Sequence, residues 1–136
     1  MSGEVSLSAL LQTLSAKLAP ETFVFVTQKH LSLPDGLVPR MMFQEAEGTT
    51  LILEQSQAEA HGFGYEFPCR MITLDVHSAL EAVGFIARIS TALADANMGV
   101  NPVAGFYHDH LFVPLGREDD AMQILAEIAN KAAEEA

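Results

Sequence analysis

The sequence predicts an α+β protein made of two tandem β-α-β-β-α-β-like units with antiparallel sheets. Three observations carry this. The second half reads strand, helix, strand, strand, helix, lacking only a final strand of that unit. Each half holds two short strand-like runs joined by a tight polar turn. The stretch 41–59 resembles 102–120, each a strand, a turn, a strand ending in Leu and an acidic helix start, which implies a degenerate repeat of about 65 residues. The expected units are 1–68 and 69–136, and one irregular domain remains the alternative.

Each element has its own signal. Leu7, Leu10, Leu11, Leu14 and Leu18 recur every three or four positions, which predicts a helix over Val5 to Leu18, ended by Pro20. This stripe spans fewer than three heptads, so it reads as core rather than zipper. Thr22 to Thr27 is dense in β-branched and aromatic residues and reads as a strand. Pro34, Asp35, Gly36 and Pro39 make the next stretch a loop. Met41 to Gln44 and Thr49 to Leu53 flank Glu45-Ala46-Glu47-Gly48 as a hairpin, with Gly48 expected at positive φ and both Glu side chains solvated. A short helix is expected over about Gln57 to His61. Tyr65 to Val76 then reads as two strand pieces broken at Pro68.

Ser78-Ala79-Leu80-Glu81 fits a capping box, which predicts a helix from there to about Asn97, with Gly99 suited to the cap beyond it. Val100 to Tyr107 and Leu111 to Leu115 follow as strands joined at His108-Asp109-His110. A last helix is expected over about Glu118 to Ala133, its acidic start matching the positive end of the helix dipole.

Composition bounds function. The chain has 136 residues, 49% of them hydrophobic, with 7 basic and 18 acidic side chains for a formal net charge of −11. That charge argues against nucleic acid and against docking on an anionic membrane. Cys69 is the lone cysteine, so no internal disulfide or all-Cys zinc site can form, and a reducing compartment is expected. The N-terminus lacks a basic region followed by an apolar stretch, and no run reaches the roughly 18 apolar residues of a membrane span. The expectation is a soluble, cytoplasmic protein.

The second half is similar to an ACT domain. The residues that carry the resemblance are Ile72-Thr73-Leu74-Asp75-Val76 as first strand, Val83 to Ile89 in the helix, Leu93 to Asn101 after it, and the hairpin Ala104 to Val113. The Gly-Phe-Ile-Ala segment at 84–87 and the rhythm of 93–101 look most like the ACT repeats of aspartate kinases. The whole chain resembles small stand-alone tandem-ACT proteins of bacteria. The resemblance implies two ferredoxin-like units and regulation by amino acids or similar metabolites, bound where two ACT units meet near the first-strand to first-helix loop. The hairpin departs from the kinase-type pattern at Gly105-Phe106-Tyr107, and the first half lacks the usual helix between its first strand and hairpin.

Candidate ligand-binding residues are therefore Asp75, Val76, His77, Ser78, Val83, Gly84, Phe85, Ile86 and Asn101. A helix start offers free N–H groups to an amino-acid carboxylate, Asp75 can hold the ammonium, and Asn101 can add an amide hydrogen bond. The plainer reading is that Ser78 caps the helix, Asp75 pairs with Arg70 or water, and Gly84 lets the helix pack closely. His108-Asp109-His110 reads as a polar turn rather than a metal pair, because no third ligand is expected nearby. His77 and Asp75 form an i, i+2 pair, but no nucleophile or oxyanion hole accompanies them. Cys69 reads as a buried apolar filler. Gly62-Phe63-Gly64 lacks the pattern of a dinucleotide loop.

The sequence thus points to a non-enzymatic regulatory protein with no catalytic residues, metal or cofactor. It is expected to bind a small molecule, an amino acid foremost, to pair as a homodimer through exposed edge strands, and to act on an unknown regulated protein. The alternative is an acidic adaptor that docks a basic region of another protein without a metabolite.

Overall fold

The structure, a computed structural model, describes residues 3–136. Its elements are α1 (Leu7–Gln12), β1 (Ala16–Gln28), β2 (Met41–Gln44), β3 (Thr49–Glu54), α2 (Gln55–Ala60), β4 (Glu66–Leu74), α3 (Phe85–Asp95), β5 (Asn101–Ala104), β6 (Asp109–Pro114) and α4 (Glu118–Glu134). The fold is α+β with antiparallel pairing of β1 with β3, β2 with β3, and β5 with β6. The chain divides into two compact units. One gathers the residues up to Ala19 with Arg70–Ala136, and the other is Pro20–Cys69.

In the first unit the neighbouring strands run β1-β4-β6-β5. Counted from β4, that is fourth-first-third-second, the order of a β-α-β-β-α-β unit. The start of β1 fills the closing place that the second half cannot fill from its own sequence. The Asp75 amide donates to the Ser15 carbonyl at 2.6 Å where β1 begins. The Arg70 guanidinium donates to the Ala19 carbonyl at 2.8 Å and pairs with Glu118 at 3.1 Å. Leu10 and Leu14 join Ile72, Leu74, Ile89, Leu93, Leu111 and Leu125 in one core. In the second unit the strands run β2-β3-β1-β4, the same order counted from β1. Its core is built from Val24, Val26, Leu37, Leu51, Leu53 and Ala58. The stretch between β1 and β2 carries no helix, as expected from the sequence.

The two hairpins share one register. Met41 lies opposite Ile52 and Asn101 opposite Phe112, and β3 and β6 have the same burial pattern along their length. The repeat therefore matches Met41 to Asn101, one residue away from the alignment that the sequence suggests. In a strand one residue is the difference between the two faces.

Several expected boundaries move. The Leu stripe does not stay helical. Ser6 caps α1 by accepting from the Ala9 amide, and the Thr13 hydroxyl donates to the Ala9 carbonyl as the helix ends. Leu14 is then buried from the short link between α1 and β1, and Leu18 packs against the same core from β1. Pro20 does not end a helix; it lies inside β1, outside the stretch Phe23–Gln28 that pairs with β3, so it forfeits no donor to that ladder. Pro68 does not break β4, which runs through it from Glu66 to Leu74 with Phe67 before it at φ 57.

At Gly48 φ is 157, and glycine is required there by contact, since an added Cβ would lie 2.8 Å from the Gln28 carbonyl oxygen. Asn97, at φ 58, takes the left-handed position after α3 that the sequence assigned to Gly99. The largest correction is the start of α3, at Phe85 rather than after Ser78.

Candidate functional site

The segment from Asp75 to Gly84 links β4 to α3 without regular structure. Three contacts commit it to this path. The Glu4 amide donates to the His77 carbonyl at 2.7 Å and the Ala79 amide to the Glu4 carbonyl at 2.9 Å, which makes a parallel bridge between Glu4 and Ser78. The Ser78 hydroxyl donates to Asp109 Oδ2 at 3.1 Å and so is not available as a helix cap. Gly84 takes φ 93, a left-handed conformation that a helix interior does not tolerate, and α3 begins only after it.

This path leaves a cavity of about 340 Å³ inside the first unit. Gly84, Phe85, Ile86 and Ala87 form one wall. The amides of Phe85, Ile86 and Ala87 lie in the first turn and have no intrahelical acceptor; the first closing bond is from the Arg88 amide to the Gly84 carbonyl at 2.9 Å. Among the described residues no side chain caps this helix. Ser78, Pro102, Ala104 and Asp109 also line it. Uncapped N–H groups and the helix dipole favour a carboxylate on that wall.

The expected site residues separate into two groups. Ser78, Gly84, Phe85 and Ile86 line the cavity, whereas Asp75, Val76, His77, Val83 and Asn101 do not. Asp75 is taken by Lys17, at 3.0 Å, with His108 Nε2 at 3.9 Å from its other oxygen. The hydrogen bond and charge of Lys17 hold the Asp75 carboxyl below its ordinary pKa. Arg70, the partner suggested for it, is engaged with Ala19 and Glu118. Val76 is a core residue whose carbonyl accepts from His108 Nδ1 at 3.2 Å. The His77 ring packs at a tilt on Tyr107, 5.6 Å between centroids, and its Nε2 is buried with no partner among the described residues. Val83 is 83% exposed. Asn101 opens β5 at the surface.

Asp109 lines the cavity and was missed as a ligand group. The turn is Gly105 to His108, closed by the Gly105 amide donating to the His108 carbonyl at 2.9 Å, so Asp109 and His110 belong to β6. His108 faces Val76 and Asp75, while His110 bonds Thr73 at 2.9 Å. The two rings serve different neighbours. Among the described residues no group of three or more His, Cys, Asp or Glu could hold a metal. The signal that locates Asp109 is the repeat itself: matched in register, Asp109 corresponds to Thr49, the buried first residue of β3. Cys69 is fully buried, donates to the Phe23 carbonyl at 3.3 Å, and has its thiol pushed up to about 12 by that burial. No helix among the described residues is long and apolar enough to cross a membrane.

Comparison with known proteins agrees with this architecture. One family model, described as ACT domain, matches residues 2–70, and a second model of the same description matches residues 66–127. No curated protein matches the chain. Among solved structures, a Vibrio cholerae protein of unknown function, described as a possible transport protein, is 42% identical. The match covers 94% of this chain and 99% of that one, with a TM-score of 0.82. An Agrobacterium tumefaciens protein is similar at 14% identity and a TM-score of 0.72, over 85% of this chain and 89% of that one. The regulatory subunit of aspartate kinase from Thermus flavus is similar at 9% identity and a TM-score of 0.63, over 83% and 95%. The last two likenesses speak to the fold.

Proposed function

The chain belongs to the ACT-domain family, and from that premise we propose that it is a non-enzymatic, cytoplasmic regulatory protein that senses an amino acid. Along the sequence the two ACT units are divided as 1–68 and 69–136. The observation that carries the reading is the cavity at the uncapped start of α3. A ligand carboxylate docks on the amides of Phe85, Ile86 and Ala87, in the loop after the first strand of the unit. This keeps Ser78, Gly84, Phe85 and Ile86 as direct contacts. Asp75, Val76 and His77 act one step back, by fixing the path of the loop, and Asn101 by setting the edge of β5, while Val83 is exposed to a second copy.

Sensing requires that the ligand bind one arrangement of the protein better than another. We propose a homodimer as the carrier of that difference, which keeps the expected meeting of two ACT units as a meeting of two copies. Leu80 lines the cavity, Val83 and Phe106 each adjoin a lining residue along the chain, and Tyr107 follows Phe106; all four are large and exposed, which gives a second copy an apolar surface to cover. Sedimentation at tens of micromolar should give a dimer, and Val83→Glu combined with Phe106→Glu should give a monomer; a monomeric parent protein removes this part of the proposal.

The decisive experiment is a thermal-shift screen of the twenty amino acids. A reproducible, concentration-dependent rise in Tm with at least one of them supports the sensor. No response to any of them discards it in favour of the acidic adaptor, whose 18 acidic against 7 basic residues suit a basic protein partner.

A further inference from the structure

We propose that Asp109 is the group that holds the ligand's ammonium, and that it makes the cavity selective for amino acids with uncharged, apolar side chains. This deepens the amino-acid reading above and rests on it.

Asp109 is 8% exposed and is set at the first position of β6, opposite Ala104. Its recorded partner is a neutral one, the Ser78 hydroxyl at 3.1 Å. Among the described residues no Lys, Arg or His forms an ion pair with it. A carboxylate so deeply set, with a hydroxyl in place of a counter-ion, is costly unless a cation reaches it. Asp75 does not share this need, because Lys17 already lies 3.0 Å from it at the surface.

The cavity that Asp109 borders is also lined by Phe85, Ile86 and Ala87, whose amides belong to the uncapped first turn of α3. One chamber therefore offers a fixed anion and a set of N–H donors, which matches the ammonium and carboxylate of an α-amino acid. What remains of the lining is apolar or small, including Leu80, Ile86, Pro102 and Ala104, and it contains no Lys, Arg or His. An apolar side chain loses nothing there. A second carboxylate, as in L-aspartate, would meet no cation and would face Asp109 at short range.

Calorimetric titration with L-leucine, 4-methylpentanoate (leucine without its ammonium) and L-aspartate tests this on the unaltered protein. L-leucine should bind, 4-methylpentanoate should bind at least about 30-fold more weakly, and L-aspartate should not compete. Asp109→Asn, which keeps an oxygen for Ser78, should weaken L-leucine to the level of 4-methylpentanoate while leaving the thermal midpoint of the free protein near that of the parent. Equal binding of leucine and 4-methylpentanoate, competition by L-aspartate, or an Asp109→Asn protein that keeps the preference overturns the assignment. If Asp109→Asn fails to fold, the comparison on the parent protein still decides. Failure of the sensor reading is separate: there, none of the twenty amino acids shifts Tm, whereas failure of the Asp109 assignment leaves amino-acid binding intact with a different selectivity.

Discussion

Lys17 and Asp75 illustrate how a charge that resembles a ligand group is already committed. Lys17 is mostly exposed, yet its Nζ sits 3.0 Å from Asp75 and lowers that carboxyl's pKa through a hydrogen bond and its charge. A folded-state pKa below the unfolded one means that the folded protein releases the proton more readily. The resulting stabilisation is present above the unfolded value and is lost as pH falls through the folded value. Lys17→Met should raise the Asp75 titration midpoint toward the ordinary carboxylate value, read by carboxyl-carbon NMR, and should flatten this part of the acid-stability profile. A midpoint that does not move would assign the shift to His108 instead.

Cys69 gives the opposite sign. Its thiol is held at about 12, so at mildly alkaline pH the unfolded chain ionises it while the folded chain does not, and stability from this group declines as pH rises above the usual thiol range. A thiol reagent at pH 8 should leave Cys69 unmodified in the native protein and react at the rate of unfolding. Prompt reaction in native buffer would contradict the burial.

At the level of elements, the loop after β4 is held by a segment far from it in sequence. Glu4 makes two main-chain hydrogen bonds to the 77–79 stretch, and Gly3, at φ 99, is packed so closely that a Cβ would lie 2.6 Å from the Ala79 nitrogen. Gly3→Val should push this latch off, and hydrogen exchange at the Ala79 amide should speed up by at least about tenfold, the share of one main-chain hydrogen bond. Unchanged exchange would mean that the latch contributes nothing to the loop. The same latch explains what the sequence could and could not reveal. The hairpins, the long last helix and the missing helix of the first half were legible, because alternation, Gly-containing turns and Pro-rich stretches act locally. The start of α3 was not legible. Ser78 and Glu81 have capping-box spacing, but the competition that decides the outcome comes from Glu4 and Asp109, which are remote in sequence. For the same reason Asp75 read as a ligand group while its partner Lys17 lay unseen, and Asp109 read as part of a turn until its strand register was fixed.

For the whole molecule, the sequence order of the two ACT units does not coincide with how their strands are filled. The unit built mainly from the second half takes its closing strand from Ala16 to Ala19, and takes Leu10 and Leu14 from the N-terminal segment into its core. Losing these would bare the edge of β4, strip the Arg70 guanidinium of its acceptor at the Ala19 carbonyl and open a gap between α1's former neighbours α3 and α4. Two buried leucines alone contribute roughly 3–6 kcal/mol, comparable to the whole stability of a domain this size. A fragment of residues 69–136 should therefore show little native structure by far-UV circular dichroism and poor amide dispersion by NMR. Joining residues 1–19 after residue 136 through a flexible Gly/Ser linker of about 15 residues restores the same strand order in a permuted chain and should restore cooperative folding. The comparison is direct, since the two proteins differ only in the returning segment. Cooperative folding of 69–136 by itself would show that β1 is a neighbour of the second ACT unit and not a part of it.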